Sequence, residues 1–143
     1  MNRVYILAFL IALLASFLLT PYVKKLAFKI GALDRPNKRK VHHKVMPRLG
    51  GLAIYCGFLL SVLCTMHISR DVLGLLLGGT VIMIVGVIDD KYQLPAKVKL
   101  LGQILAACVL VLCDFKIEWM NNPWGCYFYL EYFSIPLTIF WVI

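Results

Sequence analysis

Charge is scarce in this sequence, and negative charge scarcest: 15% of the 143 residues are Asp, Glu, Lys or Arg, and only seven are acidic. A soluble domain carries about a quarter charged residues, so an ordinary soluble globular domain is excluded. Disorder is excluded too, because low hydrophobicity is what keeps a tail unfolded, and 62% of these residues are hydrophobic. Glycine has no collagen-like period, and the five cysteines, at 56, 64, 108, 113 and 126, contain no C-x-x-C spacing. An odd count, with most thiols inside apolar runs, argues against a disulfide framework. His42, His43 and His67 form no metal-ligand spacing with those cysteines. What remains is an integral membrane protein.

Uncharged apolar runs cover Val4 to Val23, Leu49 to Met66, Val72 to Ile88 and Leu100 to Cys113, the last extended to about residue 98 by lysines that can snorkel. A spanning helix needs about 20 apolar residues, so these are four candidate transmembrane helices. A fifth run starts at 132–134 and is still apolar at Ile143. The first run follows Arg3 as a secretory signal would. It is long, however, is followed by Pro21 and Tyr22, and has no small-x-small cleavage pattern, so it is expected to be an uncleaved anchor.

Nine of the fifteen basic residues lie in Lys24 to Arg48, and Lys91, Lys97 and Lys99 add three more on the same side of alternating spans. Basic residues in short loops stay in the cytoplasm. The N-terminus is therefore expected outside, with 24–48 and 89–99 cytoplasmic. Asp114 to Phe133 is aromatic-rich and centred on the turn residues Asn121, Asn122, Pro123, Trp124 and Gly125. It reads as an external β-hairpin within 115–132 or as an irregular interfacial loop. The expected fold is all-α: a polytopic membrane protein in one domain over 1–143, with four transmembrane helices and the start of a fifth.

Two places carry polar chemistry. The third span ends Gly86-Val-Ile-Asp89-Asp90, with two carboxylates at the negative pole of a helix dipole. Their mutual repulsion and partial burial would be relieved by a divalent cation, and Mg²⁺ is usually held by one or two carboxylates with waters and substrate phosphates. A polar helix stop in the headgroup layer is the other reading of the pair. The basic segment 24–48 offers Arg and Lys partners for phosphate oxygens, and Gly50-Gly51 opens the following span where backbone N–H groups could approach an anion. Such a segment also sets topology and attracts anionic lipid without any site. Lys99, ten residues after Asp89, could face a phosphate held there or snorkel to the surface. Nucleic acid is not an expected partner, because the basic residues sit in a loop tethered at both ends to the bilayer, without a nucleic-acid fold.

The pattern Asp34-x-Pro36-Asn37-x-Arg39-Lys40-x-His42, then Pro47-Arg48-x-Gly50-Gly51, then Gly86-Val-Ile-Asp89-Asp90 with Gln93-Leu94 and Lys99, resembles the polyprenyl-phosphate N-acetylhexosamine-1-phosphate transferases of glycosyltransferase family 4. It is most similar to the bacterial undecaprenyl-phosphate N-acetylglucosaminyl-1-phosphate transferases that start teichoic acid, O-antigen or common-antigen synthesis. The resemblance implies transfer of a sugar 1-phosphate from a cytoplasmic UDP-N-acetylhexosamine to undecaprenyl phosphate in the bacterial plasma membrane, with release of UMP. It implies Mg²⁺, with Mn²⁺ as a substitute, held at Asp89 and Asp90. It also implies Lys99 at the lipid phosphate or diphosphate, and Arg39, Lys40, His42 and Arg48 beside the substrate. A homodimer is left open, and membrane lipids are the remaining expected partner. Family members continue into further catalytic carboxylates and a His-containing sugar-binding loop, so these 143 residues are expected to be the N-terminal part of such an enzyme. The alternative is a non-catalytic membrane protein that binds polyprenyl phosphate or an intact transferase. A small transporter is disfavoured because the spans offer few polar residues to line a substrate path beyond Gln103 and Ser61.

Overall fold

A computed structural model of the chain describes residues 2–34, 45–121 and 127–143. Five helices, α1 (Asn2–Ile30), α2 (Gly50–Thr65), α3 (Arg70–Tyr92), α4 (Ala96–Leu112) and α5 (Ser134–Val142), are joined by two short antiparallel strand pairs. The pairs are β1 (Leu33–Asp34) with β2 (Met46–Pro47), and β3 (Trp119–Asn121) with β4 (Tyr127–Tyr129). Two of the helices, α1 over Arg3–Ile30 and α3, are long and apolar enough to cross a membrane. None of the α1 window is buried, and side chains such as Phe17 and Leu18 face outward along it. Contiguous apolar surface of this extent is what lipid covers. The chain forms two compact units, Met1–His67 with Met83–Leu94, and Ile68–Ile82 with Pro95–Ile143.

In the first unit α1 and α2 pack antiparallel. The α2 face that turns inward carries small residues four apart, Ala53, Gly57 and Ser61, all buried. Such a stripe lets backbones approach closely where lipid supplies no hydrophobic drive for helix association. A Cβ on Gly57 would lie 2.7 Å from the Ala12 carbonyl oxygen and would collide with Ser16 Oγ. One turn on, Ser61 Oγ donates to the Ala8 carbonyl at 2.7 Å.

Helix α1 runs on through Lys24–Ile30, beyond the Val23 boundary drawn from hydropathy. Hydropathy marks where charge begins, whereas a helix continues while one face still packs. Here Lys24, Lys25 and Lys29 are exposed, while Ala27 joins Ala32 and Leu49 in a buried cluster against which Val23, Ile30 and Val87 pack. Gly31 ends the helix at φ 82°. The Gly31 and Ala32 amides both donate to the Ala27 carbonyl, at 3.0 and 3.1 Å. Glycine adopts that left-handed conformation without a Cβ penalty.

In the second unit, Ser69 Oγ accepts the Val72 amide at the start of α3, and Gly74 and Gly78 bring α3 against Cys113, Leu110 and Ala106 of α4. Helix α4 closes in a Schellman motif, with the Asp114 amide on Val111 and the Phe115 amide on Leu110, and with Asp114 itself at φ 63°. The antiparallel pairing expected around 115–132 is present but shorter, with Trp119 opposite Tyr129, Met120 opposite Phe128 and Asn121 opposite Tyr127. Asn121, expected in the turn, ends β3 instead, and the rest of the expected turn, with Cys126, lies outside the described residues. Below the hairpin, buried Thr138 of α5 accepts the Ile117 amide at 2.9 Å and donates to the Ser134 carbonyl at 2.7 Å.

Candidate active site

Asp89 and Asp90 occupy the last turn of α3, half-buried. The helix ends because Gln93 turns left-handed, at φ 52°, a conformation that costs a side-chain-bearing residue roughly 1–2 kcal/mol. Asp89 offsets that cost twice. Its carbonyl accepts the Gln93 amide at 2.7 Å, and its carboxylate Oδ1 accepts the Leu94 amide at 2.9 Å. Where a glycine closes α1, a carboxylate three residues inside the helix end closes α3. Adjacent helical residues diverge by about 100°, so Asp90 leaves the helix end in a different direction from Asp89.

The pair sits in the same unit as the stem of the basic segment. Val87, two residues before Asp89, packs on the Ala27, Ala32 and Leu49 cluster. That cluster lies under β1 and β2, whose register places Leu33 opposite Pro47 and Asp34 opposite Met46. The Arg48 amide extends the ladder to the Ala32 carbonyl at 3.1 Å.

Of the residues expected at the site, Arg48 is bound to Asp34, its guanidinium 2.6 Å from Asp34 Oδ1. Arg39, Lys40 and His42 lie outside the described residues. Lys99 is exposed in the first turn of α4, in the second unit, its amide on the Pro95 carbonyl at 3.3 Å. Lys91, beside the aspartates in sequence, stacks over the Tyr92 ring at 4.7 Å. Gly50 and Gly51 open α2 as expected, with Leu49 at the cap position making no side-chain cap bond.

Two features were not assigned from the sequence: the Asp34 partnership and the capping role of Asp89. A signal for the first was present, since Asp34 is the one carboxylate among the nine Lys and Arg of 24–48. The second needs the left-handed Gln93, which no residue type announces.

Among the described residues no three His, Cys, Asp or Glu side chains cluster as a metal cage. The donor set fits a cation that asks for less. Mg²⁺ commonly takes one or two carboxylates and completes its shell with water and phosphate, and the end of α3 supplies two carboxylates, Asp89 and Asp90. Two adjacent carboxylates at a helix end are a donor set that fits such an open, water-completed site. A cavity of about 240 Å³ in the second unit, lined by Lys116, Glu118, Tyr129, Glu131, Ser134 and Ile135, contains none of these residues.

The sequence model of the family described as Glycosyl transferase family 4 matches residues 72–143. The chain is 40% identical over 140 residues, 96% of its length, to a probable undecaprenyl-phosphate N-acetylglucosaminyl 1-phosphate transferase of Bacillus subtilis, and covers 39% of that protein. It is 37% identical over 111 residues to a decaprenyl-phosphate N-acetylglucosaminephosphotransferase of Mycolicibacterium smegmatis, covering 71% of this chain and 27% of the relative. It is 34% identical over 125 residues to the undecaprenyl-phosphate alpha-N-acetylglucosaminyl 1-phosphate transferase of Salmonella typhi, covering 82% and 32%. The chain thus spans less than half the length of each. No solved structure matches it.

Proposed function

The chain belongs to glycosyl transferase family 4, and from that premise we propose that it serves the transfer of N-acetylglucosamine 1-phosphate, or a related N-acetylhexosamine 1-phosphate, from a UDP-sugar to undecaprenyl phosphate. An oxygen of the lipid phosphate attacks the sugar-bearing phosphorus, the diphosphate P–O bond breaks, and UMP leaves. The product is a lipid-linked diphosphate sugar that initiates a cell-wall or surface polysaccharide. The observation that carries this reading is the half-buried aspartate pair at the capped end of α3, packed through Val87 against the base of the basic segment.

Phosphoryl transfer depends mainly on positioning and on cations where charge develops. Asp89 and Asp90 would hold Mg²⁺, which when bound neutralises charge on the phosphate oxygens. Lys99, Arg39, Lys40 and His42 would supply the remaining positive charge, with Lys99 toward the lipid phosphate. The topology proposed is that read from charge: α1 to α4 as spans in the plasma membrane, N-terminus outside, and both basic segments cytoplasmic. The 16 and 17 residues of α2 and α4 reach about 24–26 Å at 1.5 Å per residue, short of a hydrocarbon core of about 30 Å. Local bilayer thinning accommodates such helices.

The test is Mg²⁺-dependent UMP release from UDP-N-acetylglucosamine by membranes carrying the protein and undecaprenyl phosphate. Asp90→Asn is expected to lower the rate at least about 100-fold, the scale of losing an electrostatic group at a phosphoryl-transfer site. Normal release by that variant would refute the site. Binding of undecaprenyl phosphate without any UMP release would support the non-catalytic alternative instead.

A further inference from the structure

We infer that Arg48 is a positioning residue whose partner is Asp34, and that this ion pair is the clasp holding the two ends of the basic segment together. The inference rests on the reading of that segment as part of the transferase site, and it assigns Arg48 a different task from that of its neighbours in sequence.

Four observations converge on the clasp. First, the guanidinium and Asp34 Oδ1 are 2.6 Å apart, with the side chains only 29% and 18% exposed. A partly buried charge-assisted bond of that length is stronger than a surface pair, which contributes little. Second, the strands that the pair ties are two residues long each, and so short an antiparallel ladder is marginal in water without side-chain support. Third, the segment between the strands, 35–44, contains Arg35, Lys38, Arg39, Lys40 and Lys44 and no carboxylate. Like charges repel across the base of the segment, and Asp34 is the one acidic residue in 24–48 to offset them. Fourth, the residues flanking the pair, Ala32 and Leu49, are 0% and 2% exposed and share their cluster with Val87 of α3. The clasp therefore fixes the segment's ends to the same packed group that carries the helix ending in Asp89 and Asp90. An arginine committed to Asp34 in this way acts on substrate through placement of the segment, not through its own contact with phosphate.

The experiment is a double-mutant cycle in membranes containing the whole protein: Asp34→Asn, Arg48→Gln, the combination of the two, and the charge swap Asp34→Arg with Arg48→Asp. Two readouts are taken. The first is KM and kcat for UMP release. The expected result is that either single variant raises KM for the UDP-sugar about tenfold and to the same extent, that the combination is no worse than either single, and that the swap returns KM to within about threefold of wild type. A merely structural loss would lower the amount of active protein and leave KM unmoved. The second readout needs no activity: the rate of tryptic cleavage after Lys38 to Lys40, followed by mass spectrometry, is expected to rise about fivefold in both singles and to fall back in the swap. Arg48→Gln far more damaging than Asp34→Asn, with no rescue by the swap, would overturn the inference and place Arg48 on substrate. An unchanged tryptic rate in Asp34→Asn would overturn it as well. If wild-type membranes release no UMP, the proposed function fails, and the proteolysis cycle alone decides the clasp.

Discussion

Gly57→Ala adds one methyl group at the closest approach of α1 and α2. The new Cβ would lie 2.7 Å from the Ala12 carbonyl oxygen and 3.1 Å from the Ser16 amide nitrogen, besides meeting Ser16 Oγ. The hydroxyl can rotate away, but the carbonyl is backbone, and the helices must separate by about 0.7 Å to restore ordinary contact. Forcing a methylene into a packed interface costs about 1–3 kcal/mol. The separation would also lengthen the Ser61 to Ala8 hydrogen bond, now 2.7 Å, and bonds of this kind between membrane helices average about 0.6 kcal/mol. Against these losses stands the helix propensity of Ala over Gly, about 0.8–1 kcal/mol. The net expectation is destabilisation of about 1–2.5 kcal/mol.

Gly86→Ala is the control, because a Cβ there meets nothing within 4 Å and only the propensity gain of up to about 1 kcal/mol applies. The two variants should therefore differ by about 2–3.5 kcal/mol, with opposite signs relative to wild type. Denaturation of the purified protein in one detergent, followed by helix loss, reads the difference directly. Ser16→Ala combined with Gly57→Ala should recover only part of the loss, since the Ala12 carbonyl remains. A Gly57→Ala protein at least as stable as Gly86→Ala would refute the packing of α1 on α2 by the small-residue stripe.

The cap on α3 makes a second expectation. Asp89→Ala removes the acceptor for the Leu94 amide, a loss on the order of 1 kcal/mol for a helix-end side-chain bond, so hydrogen exchange at Leu94 should quicken about fivefold. Asp89→Asn, which keeps an acceptor oxygen, should leave that rate within about twofold. Equal exchange in the alanine and asparagine variants would show that the carboxylate does not hold the turn. In the second unit, Thr138→Val keeps the shape and strips the buried acceptor from the part-buried Ile117 amide. The orphaned donor costs about 1–3 kcal/mol, which a lower thermal midpoint should report and an unchanged one would contradict.

Much of the framework was legible because it is written in short-range terms. Apolar runs placed α2, α3, α4 and the start of α5 to within a few residues, since an uninterrupted apolar run is a property of each segment by itself. The aromatic flanks around Asn121 admitted either a hairpin or an irregular loop, and the β3–β4 pairing is the hairpin of the two. Boundaries governed by packing were harder. Helix α1 outlasts its apolar run because Ala27 has a partner cluster that includes Leu49 and Val87, both far along the chain.

The sequence by itself determined that this is a membrane protein, where its charge concentrates, and that two carboxylates end an apolar helix beside residues of a transferase family. These follow from composition, hydropathy and local motif. Only the tertiary structure decided what those charges do to one another. Nine cations share the segment 24–48 with Asp34, and the β1–β2 register brings Arg48 to it. The left-handed turn at Gln93 gives the Asp89 carboxylate its place on the Leu94 amide. Ion pairs and caps fall off within a few ångströms, so their partners are chosen by where the folded backbone sets them.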